Sequence, residues 1–332
     1  ASSRDNGSNL VRESPMRENP LVGVSACLLG EKVRYDGGHK RDPFLTGPLT
    51  EHMAFTRVCP ETAIGLGVPR PTIRLVGDPA RPKALGVRDP GMDVTARLEQ
   101  FANSQVDGYG ELNGFILKKD SPSCGIARVK VYPQPVGGSA VRKGSGIFAR
   151  ILMERHPDLP VEEEGRLNDP VLRENFINRV YAHFHWQQLM APGVTAARLI
   201  DFHSRHKYLI MAHSQAAYRR LGKQLSDLSG NRAMEIAPVY FSEVMSTLSH
   251  RSNRKRHVNV LQHIMGYLKR NIDSADKAEL AACIERYRRE EIPLVVPITL
   301  LKHYFRRHPD PYMAQQAYLQ PHPEALGLRN AL

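Results

Sequence analysis

The chain has 332 residues, a formal net charge of +12 and four cysteines. At roughly 150 residues per domain, this length points to two domains with cores of their own, and the ordinary apolar content excludes wholesale disorder. So few cysteines exclude a disulfide-stapled secreted scaffold, no charged-then-apolar leader opens the sequence, and no apolar run reaches the ~18 residues of a membrane span, so the expected compartment is the reducing cytoplasm.

Residues 1–20 are polar and rich in Ser, Asn and Arg, and read as a flexible tail. From Leu21 onward, short apolar runs alternate with loops containing Gly and Pro. Residues 21–25, 55–58 and 114–118 are brief, apolar and bounded by turn formers, which predicts buried strands. Residues 92–104 and 146–156 carry helical spacing. Strand and helix in alternation predict an α/β domain over residues 21–163, built on a Rossmann-like parallel sheet. The acidic stretch Val161-Glu162-Glu163-Glu164-Gly165 marks a change of character, and Asp169 is placed to cap a helix that has Pro170 at its first position. Beyond it, residues 171–190, 195–225, 232–250, 258–270, 275–290 and 298–308 all have helical spacing, so residues 166–332 are predicted to form an all-α domain.

Charge divides unevenly between these parts. Residues 1–165 hold 22 Lys+Arg against 20 Asp+Glu, whereas residues 166–332 hold 24 against 14, with 11 of the 14 histidines. Such an excess attracts polyanions, of which nucleic acid is the commonest in a cytoplasm; the competing reading is a solvated basic surface without a partner. The run Arg251, Arg254, Lys255 and Arg256 is the first candidate for phosphate contacts. Arg205, Lys207, Arg219, Arg220 and Lys223 form a second cluster, and Arg286, Arg288 and Arg289 a third. His203, His206 and His213 have helical offsets that mimic a metal face, but with no companion carboxylate pair they read as helix-surface or core residues.

The cysteines are placed more informatively. Cys27 comes two residues after the first predicted strand, Cys59 directly follows the second, and Cys124 lies a few residues beyond the third. Loops leaving the carboxyl ends of parallel strands gather at one crevice, so the three thiols can converge there. Cys283 sits in a predicted helix and reads as a small core residue. Three converged thiols leave several readings open. A structural zinc site needs a fourth ligand and usually a close Cys-x-x-Cys pair; an iron-sulfur cluster accepts thiolates from separate loops, and held by three it leaves one iron open; three unrelated buried cysteines are the third reading. Each candidate lies in a turn-forming context: Ser25-Ala26-Cys27-Leu28-Leu29-Gly30, Cys59-Pro60-Glu61 and Ser121-Pro122-Ser123-Cys124-Gly125. Backbone amides in such turns can face a bound anion, as a polar site requires and an apolar core does not.

These motifs, in this order and approximate spacing, resemble the bacterial thiouracil desulfidases. So do Pro69-Arg70-Pro71, Gly91-Met92-Asp93-Val94-Thr95 and the segment from Gly144 to Gly146. The resemblance covers about residues 21–165. The remainder looks like a second bacterial domain often fused to the first, and the fusion resembles desulfidases that remove sulfur from 4-thiouridine in transfer RNA. The resemblance implies a 4Fe-4S cluster held by Cys27, Cys59 and Cys124 with one open iron. It implies Glu61 as the base that activates water and Ser121 as a catalytic hydroxyl, with Arg34, Asp36 and Arg70 at the substrate. Transfer RNA is the expected partner, with no membrane and no obligate protein partner. The alternatives are desulfidation of free thiouracil or a thiolated nucleotide, and a non-catalytic metal-containing RNA-binding protein. Sulfur insertion into transfer RNA also employs a three-cysteine cluster, but the sequence contains no P-loop for the ATP activation that it needs.

Overall fold

The computed structural model describes residues 18–229 and 231–330. Most of the expected tail, residues 1–17, lies outside the described residues; Pro20 already accepts a bond from the Ala54 N–H.

The first part holds, in chain order, β1 (Leu21–Ser25), α1 (Pro43–Thr46), β2 (Ala54–Val58), α2 (Pro60–Ala63), β3 (Ile73–Val76), β4 (Lys83–Gly86), α3 (Thr95–Val106), β5 (Gly114–Leu117), β6 (Val129–Tyr132), β7 (Val141–Gly144), α4 (Ile147–Arg155) and β8 (Val161–Glu163). Strands β2, β1, β5 and β8 lie side by side in that order and all run parallel, as the alternating pattern predicts. A second sheet, β4-β3-β6-β7, is mixed: β3 and β6 are parallel, while β4 and β7 pair antiparallel at the edges. The sequence reading contains no second sheet, because its strands are four residues long and separated by Pro, Gly and Asp. The acidic stretch expected to mark a boundary contains β8. Its glutamates are compatible with a strand because Glu163 accepts the Ile126 N–H and Glu164 accepts the Lys119 N–H.

Period-two burial sets the two faces of the parallel sheet. Phe115 and Leu117 join a core with Leu98, Ala102, Phe148 and Leu152 of α3 and α4, whereas Val22, Val24 and Ile116 face the other way. That second face is covered by α5 (Pro170–Met190), through Phe176, Ile177 and Val180. Asp169 caps α5 as predicted, accepting the Val171 and Leu172 N–H groups at 2.8 and 3.1 Å, with Pro170 at the first position.

The helical part continues with α6 (Ala196–His213), α7 (Gln215–Gln224), α8 (Arg232–Ser249), α9 (Arg254–Met265), α10 (Ser274–Arg288), α11 (Val295–Arg307) and α12 (Pro311–Ala314). The single helix expected over residues 195–225 is two helices. Ser214 leaves the helical region of the backbone and accepts the Ala217 N–H at 3.1 Å, capping α7. The helix expected from residue 258 starts at Arg254, after Asn253 accepts the Arg256 N–H. His206 and His213 are buried in this core and His203 bonds the Tyr240 hydroxyl at 2.9 Å, while Cys283 packs at its edge. No helix among the described residues is long and apolar enough to cross a membrane.

Candidate active site

Because β2, β1 and β5 are parallel neighbours, whatever follows each of them emerges at one edge. Cys27 lies in a single 3-10 turn directly after β1, closed by Gly30 in the left-handed region at φ 95°, and Cys59 is the N-cap residue of α2 directly after β2. Cys124 follows β5 in a loop tied down by α4, whose Ile147 and Ala149 N–H groups donate to the carbonyls of Pro122 and Ser123. Gly146 lets that loop pass flush: a Cβ there would sit 2.5 Å from the Ser123 carbonyl carbon and oxygen. Ser25 Oγ accepts the Lys118 N–H at 3.0 Å, pinning the end of β1 to the end of β5.

All three thiols line one cavity of about 610 Å³, together with Glu61, Ser121, Arg34 and Arg70. The far wall is the second sheet, which contributes Arg74, Lys130, Tyr132 and Arg142. Eight cationic side chains line the cavity; Arg34, Arg70, Lys118 and Arg142 are ion-paired with Asp36, Glu61, Glu164 and Asp120, and the other four, Lys40, Arg74, Lys119 and Lys130, give the site its positive character. Burial pushes the Cys27 thiol up to about 11 and the Cys124 thiol up to about 12. Left alone, these thiols stay protonated at neutral pH; a bound metal takes the place of the proton. Among the described residues no three His, Cys, Asp or Glu side chains stand close enough to hold a single ion. Three thiols offered from three separate loops to one cavity are a donor set of the kind that an iron-sulfur cluster accepts.

Glu61 is held on both of its oxygens. Oε2 accepts Arg70 Nε at 2.9 Å and faces Nη2 at 2.8 Å, and Oε1 accepts the Ser123 hydroxyl at 2.7 Å. Ser121 Oγ accepts the N–H groups of Ser123 and Cys124 and lies 3.0 Å from Ser123 Oγ. Arg70 also donates to the Val33 and Gly67 carbonyls. Arg34 lies over the Tyr35 ring, and neither its Nε nor that of Arg74 has a hydrogen-bond acceptor, although both atoms are buried. Asp36 is half-exposed, accepts the Gly38 N–H and is not part of the cavity lining; that N–H holds its carboxyl below the usual range.

The basic run of the helical part is divided. Arg251 and Lys255 are exposed and Arg256 is half-buried, whereas Arg254 donates to the Tyr287 carbonyl and pairs with Glu290. In the third cluster Arg288 and Arg289 pair with Glu285 and Arg286 with Glu291; in the second, Arg205 pairs with Asp201 and Arg220 with Glu243.

Two curated relatives match about half of the chain each. The Escherichia coli uncharacterized protein YbgA is 37% identical over 154 residues, covering 46% of this chain and 91% of the relative. The Bacillus subtilis uncharacterized protein YbbK is 31% identical over 155 residues, covering 45% and 99%. Residues 22–164 match the family model of 2-thiouracil desulfurase. The chain belongs to the 2-thiouracil desulfurase family. The family segment holds every cavity-lining residue named above. Residues 207–323 match a second family, described only as a protein of unknown function, DUF1722. A solved structure of a 4Fe-4S-dependent thiouracil desulfidase, TudS, is 29% identical and covers 47% of this chain and 98% of its own, with a TM-score of 0.36.

Sequence reasoning missed Ser123, Arg74, Lys130 and Arg142. Ser123 stands beside a singled-out cysteine. Val129-Lys130-Val131-Tyr132 has the alternation of a strand with one wet face, so its signal was available. The pairing of Arg70 with Glu61 joins residues on either side of a turn and has no signature in spacing.

Proposed function

We propose that the chain is an iron-sulfur-dependent, non-redox desulfidase that removes sulfur from 4-thiouridine in transfer RNA by hydrolytic C–S bond cleavage, giving uridine and sulfide. The observation that carries this is the meeting of Cys27, Cys59 and Cys124 with Glu61 in one cavity walled by eight cations. Cys27, Cys59 and Cys124 would hold a 4Fe-4S cluster, which would supply an open thiophilic Lewis acid for a thiocarbonyl sulfur. Glu61 accepts a proton from the water that attacks the ring carbon, and Ser121 supports Glu61 through Ser123, whose hydroxyl lies 3.0 Å from Ser121 Oγ and donates to that carboxylate. Sulfur is exchanged for the oxygen of water, so no electrons are transferred.

The remaining wall speaks for a phosphate-bearing substrate rather than a bare ring. Arg34 and Arg74 each bury an Nε with no acceptor, and an incoming phosphate or carbonyl oxygen supplies one. Asp36 holds the Arg34 loop through Gly38. In the helical part, the first turn of α9 carries Arg254, Lys255 and Arg256 and no acid. Cations there oppose the positive end of the helix dipole, a local cost that a phosphate backbone offsets. Extruding a stacked base costs a few kcal/mol, and phosphate contacts from Arg251, Lys255 and Arg256 hold the RNA while this happens. The reading requires a cytoplasmic RNA, and neither a membrane nor an obligate protein partner.

The test is incubation of anaerobically reconstituted protein with bulk transfer RNA. The expected result is sulfide release with loss of 4-thiouridine. If that nucleoside persists while free thiouracil or a thiolated nucleotide is consumed, the substrate is the small molecule. If RNA binds and nothing releases sulfide, the protein is a metal-containing RNA-binding module.

A further inference from the structure

We propose that Arg70 and Ser123 form a two-sided clamp that holds the Glu61 carboxylate in one orientation and leaves a single lone pair of Oε1 to address the cavity. An ionised carboxylate offers about four lone-pair sites. Arg70 Nε donates to Oε2 at 2.9 Å with Nη2 in ion-pair contact at 2.8 Å, so the guanidinium covers that oxygen, and the Ser123 hydroxyl takes one site on Oε1 at 2.7 Å. One site on Oε1 is left over, and Glu61 lines the cavity.

Both jaws are themselves fixed. The Arg70 side chain is 4% exposed, and its third nitrogen, Nη1, donates to the Val33 carbonyl at 2.7 Å and the Gly67 carbonyl at 3.2 Å, so the guanidinium cannot rotate without losing several bonds. Ser123 is 1% exposed. Ser121 Oγ accepts two backbone N–H groups and spends both acceptor sites on them, so its own hydrogen is free to point at Ser123 Oγ, 3.0 Å away. That donation sends the Ser123 hydrogen onward to Glu61 at 2.7 Å, the nearer of its two acceptors, the other being Cys124 Sγ at 3.8 Å. The two serines therefore point the same way along one line of hydroxyls, and Arg70 braces its far end. Arg70 and Ser123 are positioning residues: they act through Glu61, which is the group that meets water.

The inference rests on the desulfidase reading for its activity readout, but a second readout is independent of it. In the reconstituted holoenzyme, Ser123→Ala is expected to lower kcat by about tenfold or more with KM within about twofold and cluster absorption unchanged, the range of an outer-shell change. Ser123→Thr restores most of the rate, because it keeps the hydroxyl. Arg70→Lys keeps the charge and loses the fork, and is expected to fall as Ser123→Ala does. Adding Ser123→Ala to Glu61→Ala should change the rate no further, within about twofold, since both act through one carboxylate. A full additional loss in that double variant, a loss confined to KM, or a loss fully accounted for by missing cluster overturns the clamp. Anaerobic crystal structures give the second readout: Glu61 in one rotamer in the wild type, and in more than one in Ser123→Ala and Arg70→Lys. An unmoved Glu61 in both variants also overturns the clamp. Wild-type protein that is inert on every thiolated pyrimidine overturns the desulfidase reading instead, and the rotamers still decide the clamp.

Discussion

Cys124 in the α/β part and His206 in the helical part are both buried, and burial moves them in opposite directions. The thiol is pushed up to about 12 and the imidazole down to about 3, because burial penalises whichever form is charged. The settings differ more than the physics does. Cys124 is buried beside a cavity rimmed with cations, where a bound metal can replace its proton. His206 stacks on Phe202 at 4.1 Å inside a packed core and donates from Nδ1 to the Phe202 carbonyl, and nothing accessible competes for it. A shifted titration marks a functional site only where a ligand can reach the group.

The largest effect that separates the two parts is loss of a thiol. Cys59→Ser is expected to abolish cluster absorption and reduce sulfide release beyond the ~10–100-fold of an outer-shell change, while the far-UV signal of the helices stays the same. If cluster content survives this change, Cys59 is not a ligand.

Acid should act in the reverse sense, on the helical part first. His206, His213 and His257 are held at about 3, 4 and 3 against an ordinary 6.5, with burial the largest cause in each. The unfolded chain therefore binds these protons more readily than the folded one. Their contribution is complete above about pH 6.5 and declines as pH falls toward 4, by up to ~1.4 kcal/mol per pH unit for each imidazole. Urea midpoints followed by circular dichroism at pH 7, 6 and 5 should fall in sequence; a constant midpoint would refute the assignment of these residues as buried and neutral.

A smaller change returns to the α/β part. Gly146→Ala places a methyl group against the Ser123 carbonyl and is expected to cost about 1–3 kcal/mol and to lower cluster content, measured as iron per chain. Full iron content with unchanged stability would mean that the Cys124 loop has slack.

The smallest effect tests the exposed cations of the helical part. Replacing Lys255 by Ala should weaken transfer RNA binding modestly and reduce the slope of log K against log salt by about one contact's worth. An unchanged slope removes Lys255 from the interface.

How much of this was legible follows from where the information lies. The parallel strands β1, β2 and β5 are apolar runs bounded by turn residues, and the cysteines come directly after them, so local pattern located both the sheet and its reactive edge. The second sheet is harder to read because Arg74 and Lys130 interrupt strands only four residues long, although Val129–Tyr132 keeps a strand alternation, and those same charges line the cavity. Strand β8 has no apolar run to predict it; Glu163 in it accepts the distant Ile126 N–H, and Glu164 just beyond it accepts the Lys119 N–H. Ser214 was a legible cap, overlooked because apolar spacing continues across it. The Arg70 to Glu61 pairing depends on how a turn closes in three dimensions.

Helix α5 lies between residues 164 and 207, outside both family matches, yet both parts bury it: Phe176 and Val180 against the parallel sheet, Trp186 stacked on Phe241 of α8 at 4.5 Å. Recombination or proteolysis at the margins of the matched segments would thus not yield two self-sufficient pieces. A fragment ending at 164 keeps every cysteine of the site but uncovers Val22, Val24 and Ile116, a bare apolar face of the kind through which copies of a protein cling to one another.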